Sequence, residues 1–409
     1  MNNLFGKQPI LLPNNNVDLA KWAVIACDQY TTNMDYWKEL SAYIGDAPST
    51  LHLTFPEIFL KEKDIDERID KINATMKEYT QKGLFKEVPG MILVERTVSE
   101  GKKRLGLVLS VDLETYEYQK KDVPILATEA TIVERLPVRM RIKENASIEL
   151  PHILLLIDDK NHEIIEPLYE KRNEYEKLYD FTLNQNGGHI CGYHISDTTE
   201  IERKFTDLLD EKTQLEKYGY NAKMLFAVGD GNHSMASAKE HWNILKQSLS
   251  EEERQNHPAR YILVEVVNLY QESMDFKPIH RVVMNCDPTA FIEGLKERLT
   301  GSGKLTVVTE EGKKTIPCSA DTSKTIRIVQ EYLIEYAKNY GAVIDYEHSP
   351  EQVCRLATQK NTVGILMPTF DKSKLFNYII HYGNLPQKSF SIGTEETKRY
   401  YIEAKRITL

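Results

Sequence analysis

Paired cysteines are missing from this sequence. Its five, Cys27, Cys191, Cys286, Cys318 and Cys354, are odd in number and scattered, with no C-x-x-C. A disulfide framework or a cysteine zinc site needs paired spacing, so a reduced, cytosolic setting is expected. Long apolar runs are missing too. Ile153 to Ile157 is typical of the longest, far short of the ~20 residues of a membrane helix. Met1 to Pro13 shows no basic stretch leading into an apolar one, so no signal peptide is expected. Nor is there a basic excess: the formal net charge is -9. A nucleic-acid binder draws most of its affinity from neutralising phosphates, so neither nucleic acid nor membrane is an expected partner. A small phosphorylated ligand remains compatible, because net charge does not set the sign inside a cleft.

What is present describes an ordinary globular chain. Of 409 residues, 41% are hydrophobic and 28% charged, enough for two or three domains. Strand and helix patterns alternate throughout, so the expected class is mixed α/β. The boundaries are expected near 150 and 286, giving an N-terminal region, a middle core over 151–286 and a C-terminal region over 287–409. Periodicity predicts helices over Asp35–Ile44, Asp64–Lys82, Glu166–Tyr179 and Thr199–Lys217. Met91–Val98 and Arg104–Leu113 read as paired strands. Tyr261–Val267 and Pro278–Met284 read as strands of one sheet.

The most informative segment is Leu225-Phe226-Ala227-Val228-Gly229-Asp230-Gly231-Asn232-His233-Ser234. An apolar strand runs into a polar glycine turn and then a helix. Both glycines are expected to permit positive φ and close approach of a ligand. Asn232 or Ser234 is expected to cap the helix, whose first N–H groups and dipole favour an anion. Asp230 and His233 add an acceptor and a titratable group. The bland alternative is a tight turn in which Asp230 caps and His233 packs.

This turn, with Ala236, Ala238 and Trp242 after it, resembles the signature of domain-of-unknown-function family 1015. So do Trp22–Tyr30, Glu149–Ile153, Lys277–Arg281, Leu385–Ser391 and Gly393–Tyr400, so the resemblance covers nearly the whole chain. It implies a ParB/sulfiredoxin-like core flanked by further α/β segments. That group includes nucleotide-binding partition proteins, sulfiredoxin and a free serine kinase whose turn reads Asp-Gly-His-His-Arg. Asp230, Gly231 and His233 match that turn, while Asn232 replaces its first His and Ser234 its Arg. The lost guanidinium would have gripped phosphate with two hydrogen bonds.

The resemblance therefore implies phosphoryl transfer between ATP or ADP, with magnesium, and a small hydroxylated metabolite such as serine. In that scheme Gly229 to Ser234 cradle phosphate. Asp230 positions magnesium or the acceptor hydroxyl, and His233 donates to a phosphate oxygen. Arg135, Arg139 or Arg281 neutralises developing charge. Asp28 is the preferred general base, with Glu129 and Glu134 as alternatives. Arg135, Arg139, Arg141 and Lys143 alternate as on a strand face, which is also the pattern of a plain solvated edge. A nucleotide or phosphometabolite sensor and a phosphatase of phosphoserine type remain open. His189, Cys191 and His194 are expected to be structural, because a strand puts His194 on the face opposite the other two. Lys388–Gly393 is a further candidate substrate loop.

Overall fold

In the computed structural model, which describes residues 4–98, 101–119, 122–129 and 137–409, the segment Tyr-Ile-Leu-Val-Glu-Val-Val-Asn forms strand Tyr261–Asn268, buried at every position. Such a strand needs partners on both edges and cover on both faces. It pairs antiparallel with Lys103–Asp112 and parallel with Leu154–Ile157. These three lie inside a nine-stranded mixed sheet. On one side the order continues through Met91–Thr97 and His189–Ile195 to the edge strand Lys177–Thr182. On the other it continues through Phe226–Asp230 and Ile125–Ala127 to Tyr116–Glu117.

Alternation along the strands divides the core between the two faces. Leu93, Leu107, Leu109, Val264 and Val266 pack with Phe205, Met235 and Trp242 on one. Ile92, Val94, Val108 and Leu263 pack with Trp37, Leu40, Tyr400 and Ile402 on the other.

The chain folds as two units. Met1–Met274 and Thr394–Leu409 make the first, and Asp275–Gly393 the second. The nine-stranded sheet draws strands from both sides of residue 150, so the boundary expected there falls inside one sheet. His280–Met284 does not join Tyr261–Asn268. It lies in the second unit's five-stranded antiparallel sheet, between Val343–Glu347 and Thr362–Leu366. Both partners are distant in sequence, which local pattern cannot reveal. Helix Thr322–Tyr340 buries Ile326, Val329 and Leu333 within this unit.

Two helical expectations change. The helix expected over Glu166–Tyr179 ends at Glu170. Tyr179, Phe181 and Thr182 favour extended backbone, and Lys177–Thr182 pairs with His189–Ile195. The helix expected over Thr199–Lys217 is two, Thr199–Asp207 and Glu211–Tyr218. Asp210 starts the second by accepting from the Lys212 and Thr213 amides. Among the described residues no helix is long and apolar enough to cross a membrane.

Candidate functional site

Gly231 decides the geometry of the turn. It sits at φ +79° immediately before helix Asn232–Leu245, and a Cβ there would lie 3.0 Å from the Ile153 Cα. Only glycine takes that backbone next to that neighbour without strain. Gly229 is different. It stays within strand Phe226–Asp230 at the point where the register against Leu154–Ile157 slips between Val228 and Asp230, and it is absent from the positive-φ residues. It is the unpaired residue of a bulge between Val228 and Asp230, the latter paired with Leu154, and not the left-handed turn expected of it.

The expected caps are also replaced. Gly231 occupies the N-cap and no side chain caps the helix. Asn232 instead donates to the Thr128 hydroxyl at 3.4 Å, which donates to the Val228 carbonyl at 2.6 Å. Among the described residues the buried Asn232 Oδ1 has no hydrogen-bond partner. An unsatisfied buried acceptor is costly, and its place beside an uncapped helix start suits a ligand donor. His233 is half-buried on the first turn, and its carbonyl accepts from Ser237.

Two cations flank the turn. Arg139 lies on helix Pro137–Asn145, not on the expected strand, because Arg, Met, Lys and Glu over 139–144 are strong helix formers. Its Nη1 donates to the Ser234 Oγ and its Nη2 to the Glu57 Oε1, both at 2.5 Å. Burial works against the Arg139 charge most strongly, yet the Cys27 sulfur, Asp28 and Glu57 outweigh it and hold the guanidinium protonated. The second cation, Lys398, donates to the Asp230 Oδ2 at 3.0 Å, and the Gly231 amide donates to the Asp230 Oδ1 at 2.9 Å. Asp230 therefore has both oxygens engaged, one of them by an ammonium.

Asp28 follows the short strand Val24–Ile25. Its Oδ1 accepts from the Gln29 amide at 2.9 Å, and its Oδ2 lies 3.0 Å from the His152 Nε2. The other ring nitrogen of His152 is 2.9 Å from the Tyr401 hydroxyl, which also meets the Cys27 sulfur at 3.1 Å. Burial is the largest influence on Asp28 and raises its pKa. His152, Arg139 and Gln29 together overcome it and hold the carboxyl well below the usual carboxylate range. Burial pushes the Cys27 thiol up to about 11, so this sulfur is a hydrogen-bonding partner and not a thiolate nucleophile. His152 precedes Ile153, the residue under Gly231, so the Asp28 cluster and the turn adjoin.

Lys398 is held by a buried ionic network. Arg399 bonds the Glu265 Oε2 at 2.8 Å, the Glu403 Oε2 at 2.7 Å and the Pro151 carbonyl at 2.9 Å. Arg96 donates to the carbonyls of Gly187, Glu396, Thr397 and Lys398. Tyr400 and Tyr401 pair with Ile25 and Val24, which places Lys398 and Asp28 on adjoining chain segments.

The remaining candidates fall elsewhere. Arg281 is wholly buried in the second unit, donating to Gln330, the Ile279 carbonyl and the Lys388 carbonyl. These contacts tie it to that unit's own residues. In the proposed substrate loop, Phe390–Ile392 is a strand paired with Phe276–Pro278. Arg135 and Glu134 lie outside the described residues. Glu129 is half-buried beside Thr128. Sequence reasoning missed Lys398, Glu57, His152 and Tyr401. Lys398 and His152 stand within the quoted stretches Gly393–Tyr400 and Glu149–Ile153, but no local pattern says that they meet the turn.

A family model described as "Protein of unknown function (DUF1015)" matches residues 11–370. No curated protein matches the chain in sequence. Among solved structures, a free serine kinase mutant in complex with AMP is 9% identical, with a TM-score of 0.39 over 74% of this chain and 92% of that one. A conserved hypothetical protein from Pyrococcus furiosus is 10% identical, with a TM-score of 0.34 over 74% and 95%. SbnI from Staphylococcus aureus, with a C-terminal truncation, is 10% identical, with a TM-score of 0.39 over 74% and 87%. Likenesses this loose set no residue of this chain opposite a residue of theirs.

Proposed function

Because the chain belongs to the DUF1015 family, whose description names no activity, we propose its function from the site itself: phosphoryl transfer between a nucleotide and a small hydroxylated metabolite, with serine the first acceptor to test. One observation carries the reading. Where the kinase-type turn has an arginine this chain has Ser234, and the Ser234 hydroxyl accepts from the Arg139 guanidinium at 2.5 Å. A cation missing from the turn in sequence is supplied beside it from another helix.

The nucleotide, when bound, supplies the phosphoryl group, and the chain's residues supply placement and charge. The uncapped start of helix Asn232–Leu245 and Arg139 favour the negative charge of the transferred oxygens. Lys398, across the turn on Asp230, adds a second positive group. The neighbours of Asp28 favour its ionised form, which suits an acceptor that orients the substrate hydroxyl. Transfer of this kind asks little of a base before the transition state. His152 and Tyr401 fix the Asp28 carboxylate in place.

The residues fit an anion better than they fit magnesium. Magnesium wants a carboxylate oxygen to itself, and both Asp230 oxygens are already taken, Oδ2 by the Lys398 ammonium and Oδ1 by the Gly231 amide. Any magnesium would have to arrive on the nucleotide's own phosphates, and no residue here is assigned to it.

Mixing the purified protein with ATP or ADP, magnesium and serine should consume nucleotide and form a phosphorylated product. Turnover no higher than that of an Asp28→Asn control rejects serine kinase activity. The engaged state of Asp230 favours a second reading, a sensor that binds nucleotide without chemistry. Calorimetric binding with no product over long incubation decides for it.

A further inference from the structure

The hairpin Lys177–Thr182/His189–Ile195 forms one edge of the nine-stranded sheet, far along its order from the glycine turn. Its register places Asp180 directly opposite Cys191, and His189 opposite Thr182. Residues opposite one another share a face, as do residues two apart on one strand. Asp180, His189 and Cys191 therefore project from one side of the same hairpin. His194 belongs to the other side, its Nε2 lying 2.7 Å from the Pro89 carbonyl.

The three side chains converge. The Asp180 Oδ1 is 3.1 Å from the His189 Nε2, and the Cys191 Sγ is 3.8 Å from the His189 Nδ1. One ligand atom from each residue lies within 4.8 Å of the other two, and among the described residues no other His, Cys, Asp and Glu group meets that condition. The two contacts use different His189 nitrogens and an ion takes one, so the ring must turn to close the donors from within 4.8 Å to the roughly 3.3–3.6 Å that usual zinc distances and tetrahedral angles set. Lys177 occupies the other Asp180 oxygen at 2.6 Å, leaving Oδ1 for a one-oxygen contact. Beyond Cys191 the same row reaches Glu95, whose carboxylate is held by Lys103 at 2.5 Å.

We propose that Asp180, His189 and Cys191 bind one divalent transition-metal ion of zinc type, with its fourth position open to water or a small ligand. The donor chemistry chooses the class. Sulfur and imidazole favour zinc, cobalt, nickel or copper, whereas magnesium and calcium take oxygen sets. Burial chooses the geometry. Cys191 is buried while Asp180 and His189 face solvent, so the ion sits at the rim with its free position outward, unlike a closed structural site with four protein ligands.

Cobalt reads this site directly. The metal-stripped full chain, titrated with Co²⁺, should take up one equivalent and develop a near-ultraviolet thiolate-to-cobalt band that Zn²⁺ abolishes. Cys191→Ser should remove the band. Asp180→Asn and His189→Ala should each weaken binding about tenfold or more, while the metal-free variants unfold at the wild-type temperature because both side chains are solvent-facing. Cys354→Ser, in the second unit, should leave band and stoichiometry unchanged. No band on adding Co²⁺, a band that survives Cys191→Ser, or equal affinity in the Asp180 and His189 variants overturns the proposal. None of these readouts depends on nucleotide or turnover.

Discussion

Replacing Arg139 by lysine separates charge from shape at the glycine turn. The guanidinium spans the Ser234 hydroxyl and the Glu57 carboxylate, each at 2.5 Å, and its side chain is 17% exposed. Lysine keeps the positive charge near Glu57 and Asp28 but loses the fork that reaches two groups at once. A hydrogen bond to a charged group contributes about 1.5–3 kcal/mol. Partial exposure trims the loss to about 1.5 kcal/mol, which is roughly a tenfold rise in Kd. Arg139→Met should do more, removing the cation for a rise of roughly a hundredfold, and should also destabilise the fold because Glu57 loses its partner. Isothermal calorimetry with ADP at fixed ionic strength measures both, and thermal unfolding without ligand checks the fold. If Arg139→Lys binds ADP as tightly as wild type while Arg139→Met is merely less stable, Arg139 is a structural cation and the phosphate reading of the turn fails.

Other outcomes follow from the surroundings of the turn. Gly231→Ala forces a left-handed backbone on an L residue and sets a Cβ 3.0 Å from the Ile153 Cα; denaturant unfolding should show a loss of about 1–3 kcal/mol, and an unchanged midpoint would refute the strain argument. Glu265→Gln breaks the buried Arg399 network, which should cost about 3–5 kcal/mol and weaken nucleotide binding through Lys398; a fully stable variant would show that the network is not needed. Burial, chiefly, pulls Lys405 down from 10.5 to about 8 against the opposing pull of Glu149. Between those values the unfolded chain holds a proton that the folded chain has released, so stability rises with pH across that window, by about 3 kcal/mol in all. Lys405→Met should flatten this rise in urea titrations from pH 7.5 to 10.5, and an identical slope in both proteins would refute it.

The alternating α/β class and the strand-turn-helix passage at the glycines were legible because both are written in short-range pattern: Leu225–Val228 is continuously apolar, and Gly231 stands where a strand must become a helix. What local pattern cannot carry is who meets whom across the chain. Arg135–Lys143 alternates like a strand, yet residues 137–145 form a helix that puts Arg139 and Lys143 on one face. Arg281 looked like a spare cation, but its strand pairs inside the second unit, where buried acceptors take up its donors. Lys398 lies 168 residues from Asp230. For the same reason Asp180 escaped notice, since the strand carrying it reads as the tail of a charged helix.

The second unit begins and ends at one place: the Gly393 amide donates to the Asp275 carbonyl at 3.0 Å. A whole unit is thus spliced into the first through a pair of neighbouring strands of chain, and Thr394–Leu409 returns to finish the first unit. During synthesis, the stretch bearing Lys398 and Arg399 leaves the ribosome only after all of Asp275–Gly393 has emerged. Until then Glu265 has Arg104 beside it but lacks Arg399, and the turn stands without its lysine. The glycine turn therefore meets its lysine only after all of the second unit has been made.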